Sequence, residues 1–162
     1  MSSSSQPIPP GHECLIPHLV CSPASEAIEF YKKAFGAEEV VRLPSPDGKR
    51  LMHASLRVNN GFVYLADDFP EYCEGKSETA IALKGTPVTL HQYTKDCDAA
   101  IQRAKAAGAT VIMPATDMFW GDRYGVIVDP YGHKWSFATH QKDLSPKQIE
   151  QAMNDAYGQA PQ

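Results

Sequence analysis

The chain has little of what would mark it for a charged polymer, a bilayer or an oxidising compartment. Its 15 basic residues are unclustered and outnumbered by 19 acidic ones, leaving a net charge of −4 over 162 residues. A nucleic acid or an anionic membrane needs a basic patch, so neither is expected as a partner. No apolar run approaches the roughly 20 residues of a membrane span. Met1 to Pro10 lacks the basic start and apolar centre of a signal peptide and reads instead as the beginning of a disordered tail over residues 1–13. Cys14, Cys21, Cys73 and Cys97 show no CxxC spacing, so free thiols in a reducing cytoplasm are the expectation. With 43% hydrophobic residues the chain is able to bury one core, and its partner is expected to be a small molecule.

What the sequence does contain is an internal duplication. Ala27 to Val40 and Ala100 to Val111 each read as an amphipathic helix, a glycine stop (Gly36, Gly108) and a strand. The separation of the two glycines suits a helix plus several short strands and is too long for a solenoid repeat. The first module, 14–66, is predicted as β-α-β-β-β. It has a strand at Leu15 to Val20, a helix opened by Ser22 and Pro23, a strand from Val40, and a hairpin of Leu51 to Val58 with Phe62 to Ala66 across Asn59-Asn60-Gly61. A polar connector spans 67–86. The second module, 87–140, repeats the order: a strand over Val88 to Tyr93, a helix capped by Asp96, and strands near Thr110 to Met113, Tyr124 to Val128 and Lys134 to Ala138. Asp129-Pro130-Tyr131-Gly132 is the turn between the last two. Within 141–162, Ser145-Pro146-Lys147-Gln148 has the form of a capping box and predicts a C-terminal helix ending near Gly158.

This order, with Phe30-Tyr31 in the first helix, Phe119-Trp120-Gly121-Asp122-Arg123-Tyr124-Gly125 and Asp129-Pro130-Tyr131-Gly132-His133-Lys134-Trp135, resembles the vicinal oxygen chelate superfamily of glyoxalases, bleomycin-resistance proteins and extradiol dioxygenases. Within it the likeness is to the PhnB-like branch. The resemblance implies an α+β fold in which tandem β-α-β-β-β modules form a cupped mixed sheet, helices outside and ligand inside. It also implies a homodimer, because members of the family often complete a cup from two chains. The C-terminal helix could cover such an interface or a sheet edge.

Strand parity names the residues expected in the cup. Successive side chains alternate between faces, and the apolar set must pack on the helix. That places His53, Ser55 and Arg57 in the cup from the third strand, Phe62 and Tyr64 from the fourth, Thr89, His91 and Tyr93 from the fifth, and Ser136 from the last. His18 joins them from the first strand. Phe119 and Trp120, beside Gly121 and Gly125, read as a cap over one end, and Arg123 either contacts the ligand or pairs with Asp122. Singly, His53 and His91 are explained by hydrogen bonds to neighbouring hydroxyls, and His133 and His140 are expected to be exposed. Together, three histidines with Arg57, Tyr64 and Tyr93 on one predicted face call for something to bind.

Metal-dependent members of the family hold a divalent ion with His and Glu from the first, fourth, fifth and eighth strands. The resemblance puts Ile16, Tyr64, Thr89 and Ser136 at those positions, none of them a good ligand. No metal or other cofactor is therefore expected, unless His18 and His91, two residues along, act as displaced ligands. Two functions follow. One is metal-free capture of a small, partly aromatic molecule; the other is a lyase, isomerase or dioxygenase of the glyoxalase type, using a metal or an acid–base pair.

Overall fold

The computed structural model describes residues 7–158, in two compact units that divide between Leu83 and Lys84. Each unit is a mixed four-stranded sheet with one helix packed on it. In the first, β1 (His18–Val20), α1 (Ala24–Phe35), β2 (Glu38–Pro44), β3 (Leu51–Val58) and β4 (Gly61–Ala66) form a sheet of order β1-β4-β3-β2. In the second, β5 (Thr89–Tyr93), α2 (Cys97–Ala107), β6 (Thr110–Asp117), β7 (Asp122–Val128) and β8 (Lys134–His140) give the order β5-β8-β7-β6. In both, the first strand lies parallel to the last, and the other pairs are antiparallel. The duplicated β-α-β-β-β order is thus present, and α3 (Pro146–Tyr157) follows it.

The helices form where the apolar stripe dictates. In α1, Ala24, Ala27, Ile28, Phe30, Tyr31, Ala34 and Phe35 are buried, and Gly36 closes the helix at φ 68°, a left-handed turn that favours glycine. Ser22 does not cap it. Instead Asp67, just past β4 and buried, accepts from the Ala24 amide at 2.9 Å and from the Leu51 amide at 2.6 Å, so one carboxylate ties helix, β3 and β4 together. The α2 helix is capped as expected, Asp96 accepting from the Ala99 amide. It is built of smaller residues, with Cys97, Ala100, Ile101 and Ala104 buried. It lies so close to β7 that a Cβ on Gly125 would overlap Ile101 Cδ1 and stand 2.9 Å from the Met113 carbonyl oxygen. The Cys97 thiol is pushed up to about 11, chiefly by burial, and donates to the Phe137 carbonyl oxygen.

The turns are largely those expected. Gly48 at φ 71° ends the turn of Ser45 to Gly48. Asp129 Oδ1 accepts from the amides of Tyr131 and His133, while Oδ2 accepts from Trp135 Nε1. The capping box on α3 is complete, the Ser145 hydroxyl accepting from the Gln148 amide and the Gln148 side chain from the Ser145 amide. Residues 1–6 and 159–162 of the expected tails lie outside the described residues. Within the remainder of the segment expected to be disordered, His12 stacks on Phe62 with ring centroids 4.2 Å apart. The connector contains one 3-10 turn, Pro70–Tyr72, and its Glu71 pairs with Arg50. Among the described residues no helix is long and apolar enough to cross a membrane.

Candidate functional site

Each sheet has a face that its own helix does not cover, and parity assigned most of its residues correctly. In the first unit Leu19, Ala54, Leu56, Val58, Val63 and Leu65 are buried on the helix side. Met52, which alternation puts on the same side as Ala54 and Leu56, is 41% exposed. The other face gathers His18, His53 and Tyr64, with ring centroids 6.1 Å apart for His18 and His53, 6.2 Å for His18 and Tyr64, and 4.8 Å for His53 and Tyr64. Burial, then the neighbouring His53, pushes the His18 imidazole below its ordinary range. The Arg57 guanidinium lies over the Phe62 ring. Ser55, directly across from Tyr64, is 4% exposed, and its hydroxyl has no hydrogen-bond partner among the described residues.

In the second unit the corresponding face is satisfied internally. His91 Nδ1 and Ser136 Oγ share a hydrogen bond at 2.8 Å. The His91 ring packs edge-on to Tyr93 and stacks with Tyr124. Tyr124 was missed because a lone tyrosine two residues after an aspartate gives no signal of its own. Asp122, 5% exposed, is the centre of this face. It accepts from Tyr93 Oη at 3.0 Å, Trp120 Nε1 at 3.2 Å and His140 Nδ1 at 2.7 Å. Burial pushes its carboxyl up, but the bonds from His140 and Tyr93 outweigh it and hold the group below its usual range. The same bond raises the Tyr93 phenol. His140 also bonds Asp143 through Nε2 at 2.9 Å. A carboxylate thus faces each ring nitrogen, and the imidazole is pushed up, by Asp143 first and then by Asp122. His140 is exposed as expected, yet it is a working member of the network.

Beside Asp122 a cavity of about 460 Å³ is lined by Tyr93, Trp120, His140, Lys142, Leu144 and Ile149, among others. Trp120 packs edge-on against Phe119 and Tyr124, and Phe119 in turn meets Tyr157 of α3. Gly121, at φ +99°, leaves room for this arrangement, since a Cβ there would stand 2.5 Å from the Lys142 carbonyl oxygen. Arg123 takes no part. The pairing with Asp122, one of the two alternatives for this residue, is absent because consecutive strand residues face opposite ways, and Arg123 instead binds Asp98 of α2 and Asp117. Thr89 and Tyr93 flank His91 on the exposed side of β5, and Val88, read as the start of that strand, precedes it and is exposed.

Strand register relates the positions drawn from the family resemblance to their neighbours. His18 pairs with Tyr64 and His91 with Ser136, whereas Thr89 pairs with Lys134 and Ile16 precedes β1. Each of these histidines thus stands level with a hydroxyl-bearing side chain, His18 with Tyr64 and His91 with Ser136. The donor chemistry still does not fit a divalent metal. Tyr64 and Ser136 offer hydroxyls rather than carboxylates, and Ser136 already bonds His91. Among the described residues no three His, Cys, Asp or Glu side chains cluster in a way that could hold an ion.

Residues 15–137 match the model of the glyoxalase/bleomycin resistance protein/dioxygenase superfamily. The chain belongs to that superfamily. This member is 51% identical over 140 residues to the uncharacterized protein Rv0887c of Mycobacterium tuberculosis, covering 86% of this chain and 82% of that one. It is 30% identical over 134 residues to the uncharacterized protein At5g48480 of Arabidopsis thaliana, covering 77% and 76%. Among solved structures it is similar to TioX from Micromonospora sp. ML1, with 26% identity, a TM-score of 0.60, and 78% of this chain and 97% of that one covered.

Proposed function

We propose that this superfamily member, of the PhnB-like branch, is a cytoplasmic homodimer that captures a small organic molecule without a metal, on the sheet faces its helices leave uncovered. The observation that carries this reading is that both sheets turn histidines, tyrosines and other polar groups, rather than an apolar layer, to those faces. In the second unit these groups pair with one another, but in the first the buried Ser55 hydroxyl has no partner among the described residues, which is costly unless a guest supplies one. His18, His53, Tyr64, Arg57 and Phe62 supply this surface in the first unit; His91, Tyr93, Tyr124, Trp120 and the cavity beside Asp122 supply it in the second. Aromatic walls provide burial, and the imidazoles and Arg57 provide orientation.

A catalytic role of the glyoxalase kind has one contact in its favour, the hydrogen bond that orients the His91 imidazole on Ser136. That pair has no carboxylate with which to exchange the proton, which favours capture. The test is to treat the purified protein with a chelator, then titrate a library of small aromatic and amphipathic compounds while following amide chemical shifts. Saturable shifts at His18, Tyr64, His91 and Tyr93, unchanged by added chelator, are expected. Binding that appears only with a divalent metal, or no saturable binding, would overturn the reading.

A further inference from the structure

We infer that the face of the first unit takes an organic acid, its anionic group lodged among His18, His53, Ser55 and Tyr64 and its apolar part against Val41 and Leu43. This inference rests on the capture reading and names the chemical class of the guest.

Register lays the site out as a row. Leu43 is the cross-strand neighbour of His53, Val41 of Ser55, Ser55 of Tyr64, and Tyr64 of His18. The row therefore runs from an apolar margin on the edge strand, where Val41 and Leu43 are 45% and 55% exposed, into a polar centre. The Ser55 hydroxyl is the sharpest observation there. A buried hydroxyl with no partner is destabilising, and an oxygen acceptor arriving from a guest would satisfy it.

The charge of the surroundings selects an acid. His53 and Arg57 come from β3, His18 from β1, Tyr64 from β4, and His12 packs on Phe62 nearby. The one acidic residue that register brings to this face is Glu38, across from Arg57 at the far end of the row. Glu13 is turned to the Gly11 amide. Burial, and then the neighbouring His53, disfavour the charged form of the His18 imidazole. A guest anion removes that conflict by pairing with both, and a protonated amine would sharpen it.

Benzoate, benzamide and benzylamine share a ring and differ in charge, which makes them suitable probes. Benzoate is expected to shift the His18, His53 and Tyr64 resonances saturably, and to raise the His18 imidazole pKa. Benzamide and benzylamine should bind at least about tenfold more weakly. Ser55→Ala should weaken benzoate about fivefold and His53→Gln about tenfold. Ser55→Ala removes a group already without a partner, so the fold should persist in that variant, as a thermal melt will show. Benzamide or benzylamine binding this face as well as benzoate would overturn the acidic class and leave the capture reading standing. So would benzoate shifting only residues of the second unit. If no probe and no library compound binds, both readings fall.

Discussion

The two units have the same strand order and opposite temperaments. In the second, the uncovered face is knotted together, with Asp122 holding Tyr93, Trp120 and His140, and Ser136 holding His91. In the first, the rings of His18, His53 and Tyr64 meet by packing, and the Ser55 hydroxyl has no partner among the described residues. The helices differ as well. Phe30, Tyr31 and Phe35 build an aromatic core under α1, whereas small residues bring α2 close to Gly125. Duplication has thus kept topology while one copy spent its polar groups on itself and the other kept them available.

The contrast is most severely tested at Gly121. Alanine there adds left-handed strain to a backbone clash with Lys142. Denaturant unfolding should show a loss of about 3 kcal/mol, together with a changed environment for Trp120 in near-UV circular dichroism. Next in size is Asp122→Asn, which removes the charge from three hydrogen bonds to a buried carboxylate and should cost about 2 kcal/mol in the same assay. A negligible effect would mean that the second face is not held together at Asp122.

The matched serines sharpen the comparison further. Ser136→Ala breaks the bond to His91 and should destabilise by about 1 kcal/mol, whereas Ser55→Ala should be neutral or stabilise by up to about 1 kcal/mol. Equal losses at both would erase the difference between the faces.

The smallest effect concerns pH. The folded His140 imidazole is raised above its unfolded value, so its contribution is complete below the unfolded pKa and is lost as pH rises through the folded one. Asp122 is lowered, so its contribution is complete above the unfolded carboxylate range and is lost as pH falls through the folded pKa. Melting temperature should therefore decline above neutrality in the wild type, and His140→Gln should flatten that decline.

The frame was legible in the sequence because helix stripes, glycine stops and strand alternation are local and periodic. Gly36 and Gly108, the Asp96 cap and the capping box at Ser145 all fall where the residues place them. Parity also put His53, Tyr64, His91 and Tyr93 on the uncovered faces. What escaped depends on contacts between distant segments. Asp67 reaching back to Ala24, His140 bridging Asp122 and Asp143, and Tyr124 stacking on His91 have no spacing rule to betray them. Arg123 was misread for a local reason, since adjacency in a strand separates side chains rather than pairing them.

The latch formed by Asp67 lends the first unit a particular freedom. One carboxylate closes the start of α1 and the head of β3 from the helix end of the fold, sharing no atom with the histidine row. A descendant chain is therefore at liberty to redraft what that row displays, exchanging one guest for another, while the scaffold beneath stays shut.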